Sequence, residues 1–129
     1  MVDIATIILR IALGITMVAH GWHKIEKRTI LVHKWKHEYG FPVGSVLLTA
    51  IAQIVGGCAI AIGIFTSLAS FLLALNLIVA TYVSIWKHHE GFLSLPEGKG
   101  WDINFLLVGT LTAMIFLGDG SWSLAGLLR

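Results

Sequence analysis

Two kinds of residue in this sequence are placed to do chemistry: polar side chains inside apolar runs, and histidines at the ends of those runs. The stretch "LRIALGITMVAHGWHKI" (residues 9–25) carries both, with Arg10 inside the run and His20 and His23 closing it. Gln53 and Asn76 interrupt two further apolar stretches. An arginine at the centre of a bilayer costs at least about 2.5 kcal/mol on insertion scales, so Arg10 is expected to face other helices. Gln53 and Asn76 each offer a carbonyl acceptor, and their helix-midpoint positions put them at the depth of Arg10. An arginine side chain also leans toward its own helix start, which brings Asp119 or the carbonyls of the C-terminal tail within reach.

His20 is expected near the depth of Asp102 and Asn104 in "GWDINF" (residues 100–105). A His–Asp pair there would orient a quinone headgroup or relay a proton, since imidazole titrates near neutral pH. The plainer alternative is a histidine satisfied by a carbonyl or by headgroup water. All six histidines (His20, His23, His33, His37, His88 and His89) fall on one side of the chain's expected layout. His33 and His37, four residues apart, would stack on one helix face. With His20 or His88 they would suit a transition metal, and a bis-histidine haem is the weaker variant. No carboxylate or cysteine stands at a confirming spacing, and the same segment also reads as an amphipathic surface helix.

The elements that must position these residues are transmembrane. Of 129 residues, 57% are hydrophobic and 12% charged, far from the roughly one-quarter charged content of a soluble domain. Mean hydropathy is +0.86. Spanning about 30 Å of hydrocarbon takes about 20 residues, and four stretches qualify: residues 4–22, 43–65, 67–86 and 101–117. The sequence therefore predicts an all-α fold: one domain over residues 1–129, an integral membrane four-helix bundle. Residues 119–129 form a short amphipathic C-terminal tail. "GGCAIAIG" (residues 56–63) should let the second span approach a neighbour closely. It is not a phosphate loop, because no strand precedes it and no phosphate-binding lysine follows.

Lys24, Lys27, Arg28, Lys34, Lys36, Lys87 and Lys99 all lie in, or at the edge of, the first and third connections. The positive-inside rule then places both long connections in the cytoplasm and both termini outside. Trp22, Trp86 and Trp101 fall at three helix ends on that side, as an interfacial aromatic belt does. The first span makes a poor secretory signal, with Asp3 in place of a basic start and Arg10 in the apolar stretch. A net charge of +2 with loop lysines gives no reason to expect nucleic acid. The single cysteine, Cys58, permits no internal disulfide and no thiol-exchange motif.

The chain resembles the DoxX family of small membrane proteins. The resemblance rests on "LRIALGITMVAHGWHKI", "GFP" at 40–42, "AQIVGGCAIAIGIFTSLAS" across the second span, and "GWDINFLLVGTLTAMIFLGDGSWSL" near the end. It implies a compact bundle of four spans in a prokaryotic cell membrane. It also implies, for some members, a link to respiratory chemistry as the membrane subunit of a quinone-reducing thiosulfate oxidoreductase. Carried over by position, the arginine of the first span is Arg10, the "HG..K" residues are His20, Gly21 and Lys24, and the acidic opening of the fourth span is Asp102. One departure stands out. Where many relatives carry a glutamate before the glycine pair, this chain has Gln53, which hydrogen-bonds but carries no proton.

The expected function is thus a membrane subunit of a quinone-linked oxidoreductase, binding quinone or supporting a redox partner. No cofactor motif is readable, so a partner subunit would have to carry the redox centre. The alternative is a non-catalytic scaffold or assembly partner, docking another protein through its glycine-rich helices.

Overall fold

A computed structural model describes residues 2–38, 40, 44–120 and 122–128 of the chain. Phe41 and Pro42 of the "GFP" motif, Val43 at the expected start of the second span, and Arg129 lie outside the described residues. The elements in order are α1 (Val2–Glu26), α2 (Arg28–Glu38), α3 (Ser45–Ile62), α4 (Thr66–Tyr82), α5 (Asp102–Leu117) and α6 (Leu124–Leu128). A π-helical turn, Val83–Lys87, continues α4. No strand occurs among the described residues. The all-α bundle expected from the sequence is what forms. Three helices are long and apolar enough to cross a membrane: α1, α3, and α4 with its π turn. The fourth, α5, is apolar but has 16 residues, a rise of about 24 Å.

The surface has the polarity that lipid demands. Ile8, Leu48 and Phe116 point outward at 61%, 71% and 86% exposure, while Thr6, Arg10, Gln53, Thr66, Ser70 and Asn104 are buried. Water as solvent would favour the reverse distribution. The apolar core is correspondingly slim, with Leu13 and Met17 of α1 packing on Ile60, Leu73, Leu107, Leu111 and Met114.

The most intimate packing is α1 against α3. A Cβ on Gly14 would stand 2.6 Å from Ala61 Cβ and 2.7 Å from the Gly57 carbonyl; one on Gly21 would stand 2.6 Å from the Ala50 carbonyl. A Cβ on Gly57 would stand 2.9 Å from the Gly14 carbonyl. Lipid supplies no hydrophobic drive for helices to associate, so close backbone approach supplies the attraction through dispersion. The glycine run of α3 does what its composition suggests, but half of the seam, Gly14 and Gly21, comes from α1.

The hinge between α3 and α4 falls at Gly63–Phe65, three residues before the expected break at Thr66–Ser67. Gly63 adopts a left-handed conformation (φ 79°, ψ 49°), and the Gly63 and Ile64 amides both donate to the Ala59 carbonyl at 2.9 Å. That cap ends α3 whatever the hydropathy of the following residues. The first amide of α4, Thr66 N–H, donates to Asp119 Oδ1 at 2.9 Å, and Ser67 Oγ donates to the Ile115 carbonyl at 2.8 Å. The tail is amphipathic in an unexpected sense. Ser123 turns inward while Trp122, Leu127 and Leu128 face out.

Adding one methyl group inside the seam should be felt, because overpacking a close contact costs about 1–3 kcal/mol. Gly14→Ala and Gly57→Ala are expected to lower the thermal unfolding midpoint in detergent. Gly109→Ala, whose Cβ would meet nothing within 4 Å, should leave it unchanged or raise it. Equal effects at all three positions would contradict this packing.

Candidate functional site

The buried polar residues of the bundle form two separate groups. In the first, Lys24 Nζ donates to Gln53 Oε1 at 2.8 Å, and Gln53 Nε2 donates to Asn76 Oδ1 at 3.1 Å. One amide thereby links α1, α3 and α4. Gln53 is 1% exposed, so both of its bonds are made away from lipid and water. This bond to Lys24, four residues beyond His20 and one helical turn on, was not anticipated from the sequence.

Arg10 belongs to the second group and meets neither Gln53 nor Asn76. It is 3% exposed, and Nη2 donates to the Trp122 carbonyl at 2.6 Å. The expectation of a common Arg10–Gln53–Asn76 network is therefore corrected in favour of the tail carbonyl. The cause is register. Gly14 packs beside Gly57 and Ala61, and Gly21 beside Ala50 and Ile54, so Gln53 lies level with the last turns of α1. Arg10 lies level with the α3–α4 turn, where a Cβ on Gly63 would run into its Nη1 and into Ser123 Cβ. The two polar groups are separated by roughly ten residues of helix, about 15 Å. Midpoint depths of separate helices do not reveal this, because α1 overshoots the end of α3 by some two turns.

The His20–Asp102 pair also does not form. Asp102 accepts from Ser94 N–H at 3.1 Å, Ser94 Oγ at 2.6 Å and its neighbour Ile103 N–H at 2.9 Å. These bonds fold the connection ahead of α5 back onto the helix start, which is where a carboxylate is favoured by the first amides. His20 is half-buried, and the charged side chains acting on it are the cations Lys24 and Lys99, with His23. Asn104 is buried, two residues into α5.

His33 and His37 do come together on α2, their ring centroids 4.4 Å apart. Among the described residues no group of three or more His, Cys, Asp or Glu is placed to hold a metal ion, so this pair has no third ligand from its own bundle. The helix itself buries none of its side chains fully.

Sequence reading passed over the π-helical turn and the groove beside it. Ile78, Thr81, Tyr82 and Trp86 of α4 and its π turn, with Phe105 and Val108 of α5, line an open groove of about 290 Å³. The Tyr82 and Trp86 rings stack at 5.1 Å and 25°. Thr81 spends its hydroxyl on the Leu77 carbonyl, and the lining is almost wholly apolar. π turns recur at functional sites, because they break the regular helical surface. The available signal was the i, i+4 pair of aromatics, Tyr82 and Trp86, near a helix end.

The DoxX family model matches residues 5–87, from the first turn of α1 to the end of the π turn. The chain belongs to the DoxX family. Together with its apolar helices this makes it an integral membrane protein. The match leaves α5 and the tail outside it. No curated protein and no solved structure matches the chain. Within this DoxX bundle, Gly57 packs on α1, and Gly56, half-buried, meets Leu73 of α4.

The two polar groups should behave independently. A double-mutant cycle on Lys24→Met and Gln53→Leu is expected to give a coupling of about 0.5–2 kcal/mol in unfolding free energy. The corresponding cycle on Arg10→Met and Gln53→Leu should give none. Coupling in the second cycle as large as in the first would contradict the register described here.

Proposed function

We propose that this DoxX protein is the membrane subunit of a quinone-linked oxidoreductase, taking a quinone at the α4–α5 groove and working with a partner that carries the redox centre. The observation that supports this reading is the groove itself. It is open on a side of the bundle that faces lipid, where a quinone is dissolved. Tyr82 and Trp86 offer stacked aromatic faces at 52% and 59% exposure, and Phe105 lies opposite on α5. A flat apolar wall with one or two hydrogen-bond donors is the usual composition of a small-molecule site, and the phenol O–H and indole N–H can each donate to a quinone carbonyl. About 290 Å³ admits a headgroup while its isoprenoid tail stays among the acyl chains.

In this reading the groove takes the place of Arg10, His20, Gln53, Asn76, Asp102 and Asn104 as the ligand site. Lys24, Gln53 and Asn76 act beside it as the tie that fixes α4 against α1 and α3. We place the protein in a prokaryotic cell membrane, with α2 and the 88–101 connection on the cytoplasmic face, on the strength of the seven basic residues at that end. Electrons would enter from the partner.

The test is quinone retention. Protein purified in mild detergent should carry extractable quinone, or bind a short-chain quinone saturably. Tyr82→Phe removes one donor and should weaken binding about 2- to 10-fold; Trp86→Leu should weaken it more. Arg10→Gln, at the far end of the bundle, should leave it unchanged. No retained quinone and no saturable titration, or full affinity in Trp86→Leu, would overturn the proposal.

A further inference from the structure

Five buried side-chain polar atoms among the described residues have no hydrogen-bond partner, and four of them belong to Arg10, Thr66 and Ser70. They are Arg10 Nε and Nη1, Thr66 Oγ1 and Ser70 Oγ; the fifth is Glu90 Oε2. Thr66 and Ser70 are both 0% exposed. Unmet hydroxyls are not a general habit of this chain. In the four helices of the bundle, Thr6, Thr16, Thr49, Thr81, Thr110 and Thr112 each donate to the carbonyl four residues earlier. That is the standard way for a hydroxyl to satisfy itself in lipid. Thr66, at the first position of α4, has no carbonyl of its own helix behind it, and Ser70 leaves the one it has unused.

All three residues belong to the end of the bundle where the termini lie. Arg10 abuts Gly63, and Thr66 begins the next helix three residues on, with Ser70 one turn inside. The Trp122 carbonyl satisfies one of the five N–H groups of the guanidinium and none of its charge. Among the described residues no carboxylate forms an ion pair with it: Asp3, two turns earlier on α1, makes none, and Asp119 accepts from Thr66 N–H and keeps its charge beside that helix start. A buried cation without a countercharge is strongly unfavourable, which sets a neutral occupant apart from an anionic one. Water would satisfy N–H donors but leave the charge. An anion with several oxygens would do both, and the two hydroxyls can donate to it.

The roof of this region is slight. The tail is held over Arg10 by three bonds: the Trp122 carbonyl, Ala125 N–H donating to the Gly63 carbonyl at 3.1 Å, and Asp119 Oδ1 accepting from Thr66 N–H at 2.9 Å. Its other bonds here, Ser123 Oγ to the Gly120 carbonyl and Gly126 N–H to Ser123 Oγ, are internal to the tail. A ligand that took over Arg10 Nη2 from Trp122 would need only to lift this strap.

We propose that Arg10, Thr66 and Ser70 form an internal site for a small oxyanion, closed by the C-terminal tail. The site lies at the opposite end of the bundle from the α4–α5 groove and stands independently of quinone binding. The occupant is a free anion with three or four oxygens at most, since Gly63 and Ser123 crowd the guanidinium too closely for a lipid headgroup with its chains.

The experiment is thermal unfolding of the full chain in detergent, in formate, nitrate, sulfate or phosphate, against chloride at constant ionic strength. At least one of these anions should raise the midpoint by several degrees, and the rise should saturate, as binding to the folded state requires. Arg10→Gln should abolish the rise. Thr66→Val and Ser70→Ala, which keep the charge and the shape, should each shift half-saturation about 3- to 10-fold upward. Asp119→Asn should shift it downward by removing a like charge beside Thr66. No saturable rise with any of the four anions would overturn the site in favour of water. A rise that stays linear in sulfate and phosphate, or persists unchanged in Arg10→Gln and Thr66→Val, would reduce it to general salt exclusion.

Discussion

The rest of this structure depends on how closely α1 and α3 approach. Gly14, Gly21 and Gly57 bring the two backbones to a distance that no larger residue permits, and that contact fixes the register of one helix against the other. In lipid, where apolar side chains gain nothing by leaving the solvent, such a seam is among the few ways to specify a partner and a register together. Once it is set, the positions of the polar residues follow. Gln53 falls beside the end of α1 and finds Lys24. Arg10 falls past the end of α3 and finds a turn and a tail.

That overshoot explains why the tail folds back as it does. A helix that projects beyond its neighbour with an arginine on its inner face needs a cover, and the Trp122 carbonyl and Ser123 provide one. Gly63 serves two needs at the same point. Its left-handed conformation ends α3, and its lack of a side chain leaves room for the guanidinium. Asp119 caps α4 from the tail's first residues, and Arg10 ties α1 to the same tail, so three helices are joined at one end. The opposite end is built differently, from the Asp102–Ser94 brace, the Phe92–Trp101–Phe105 aromatic cluster and the π turn.

Much of this architecture was legible in the sequence, because hydropathy and charge report directly on lipid. The four apolar stretches, the gathering of histidines, lysines and interfacial tryptophans at one end, and the pairing of His33 with His37 on one helix face all follow from one-dimensional pattern. The close-packing role of the α3 glycines did too. What could not be read was anything that needs two helices at once. Arg10, Gln53 and Asn76 each sit near the middle of an apolar run, and only the glycine register shows that the first lies two or three turns from the others. Asp102 looked available to His20 because its claim on Ser94 is set by a loop whose path no periodicity encodes. The π turn, likewise, has no sequence signature beyond its aromatic pair.

The central claim is that the α1–α3 register parts Arg10 from Gln53. Solid-state NMR of selectively labelled protein in lipid bilayers measures it without a mutation. Nitrogen–carbon dipolar transfer from the Lys24 ammonium should reach the Gln53 side-chain carbonyl, and transfer from the Arg10 guanidinium should reach the Trp122 backbone carbonyl. Transfer from Arg10 to the Gln53 carbonyl, with none to Trp122, would contradict the account.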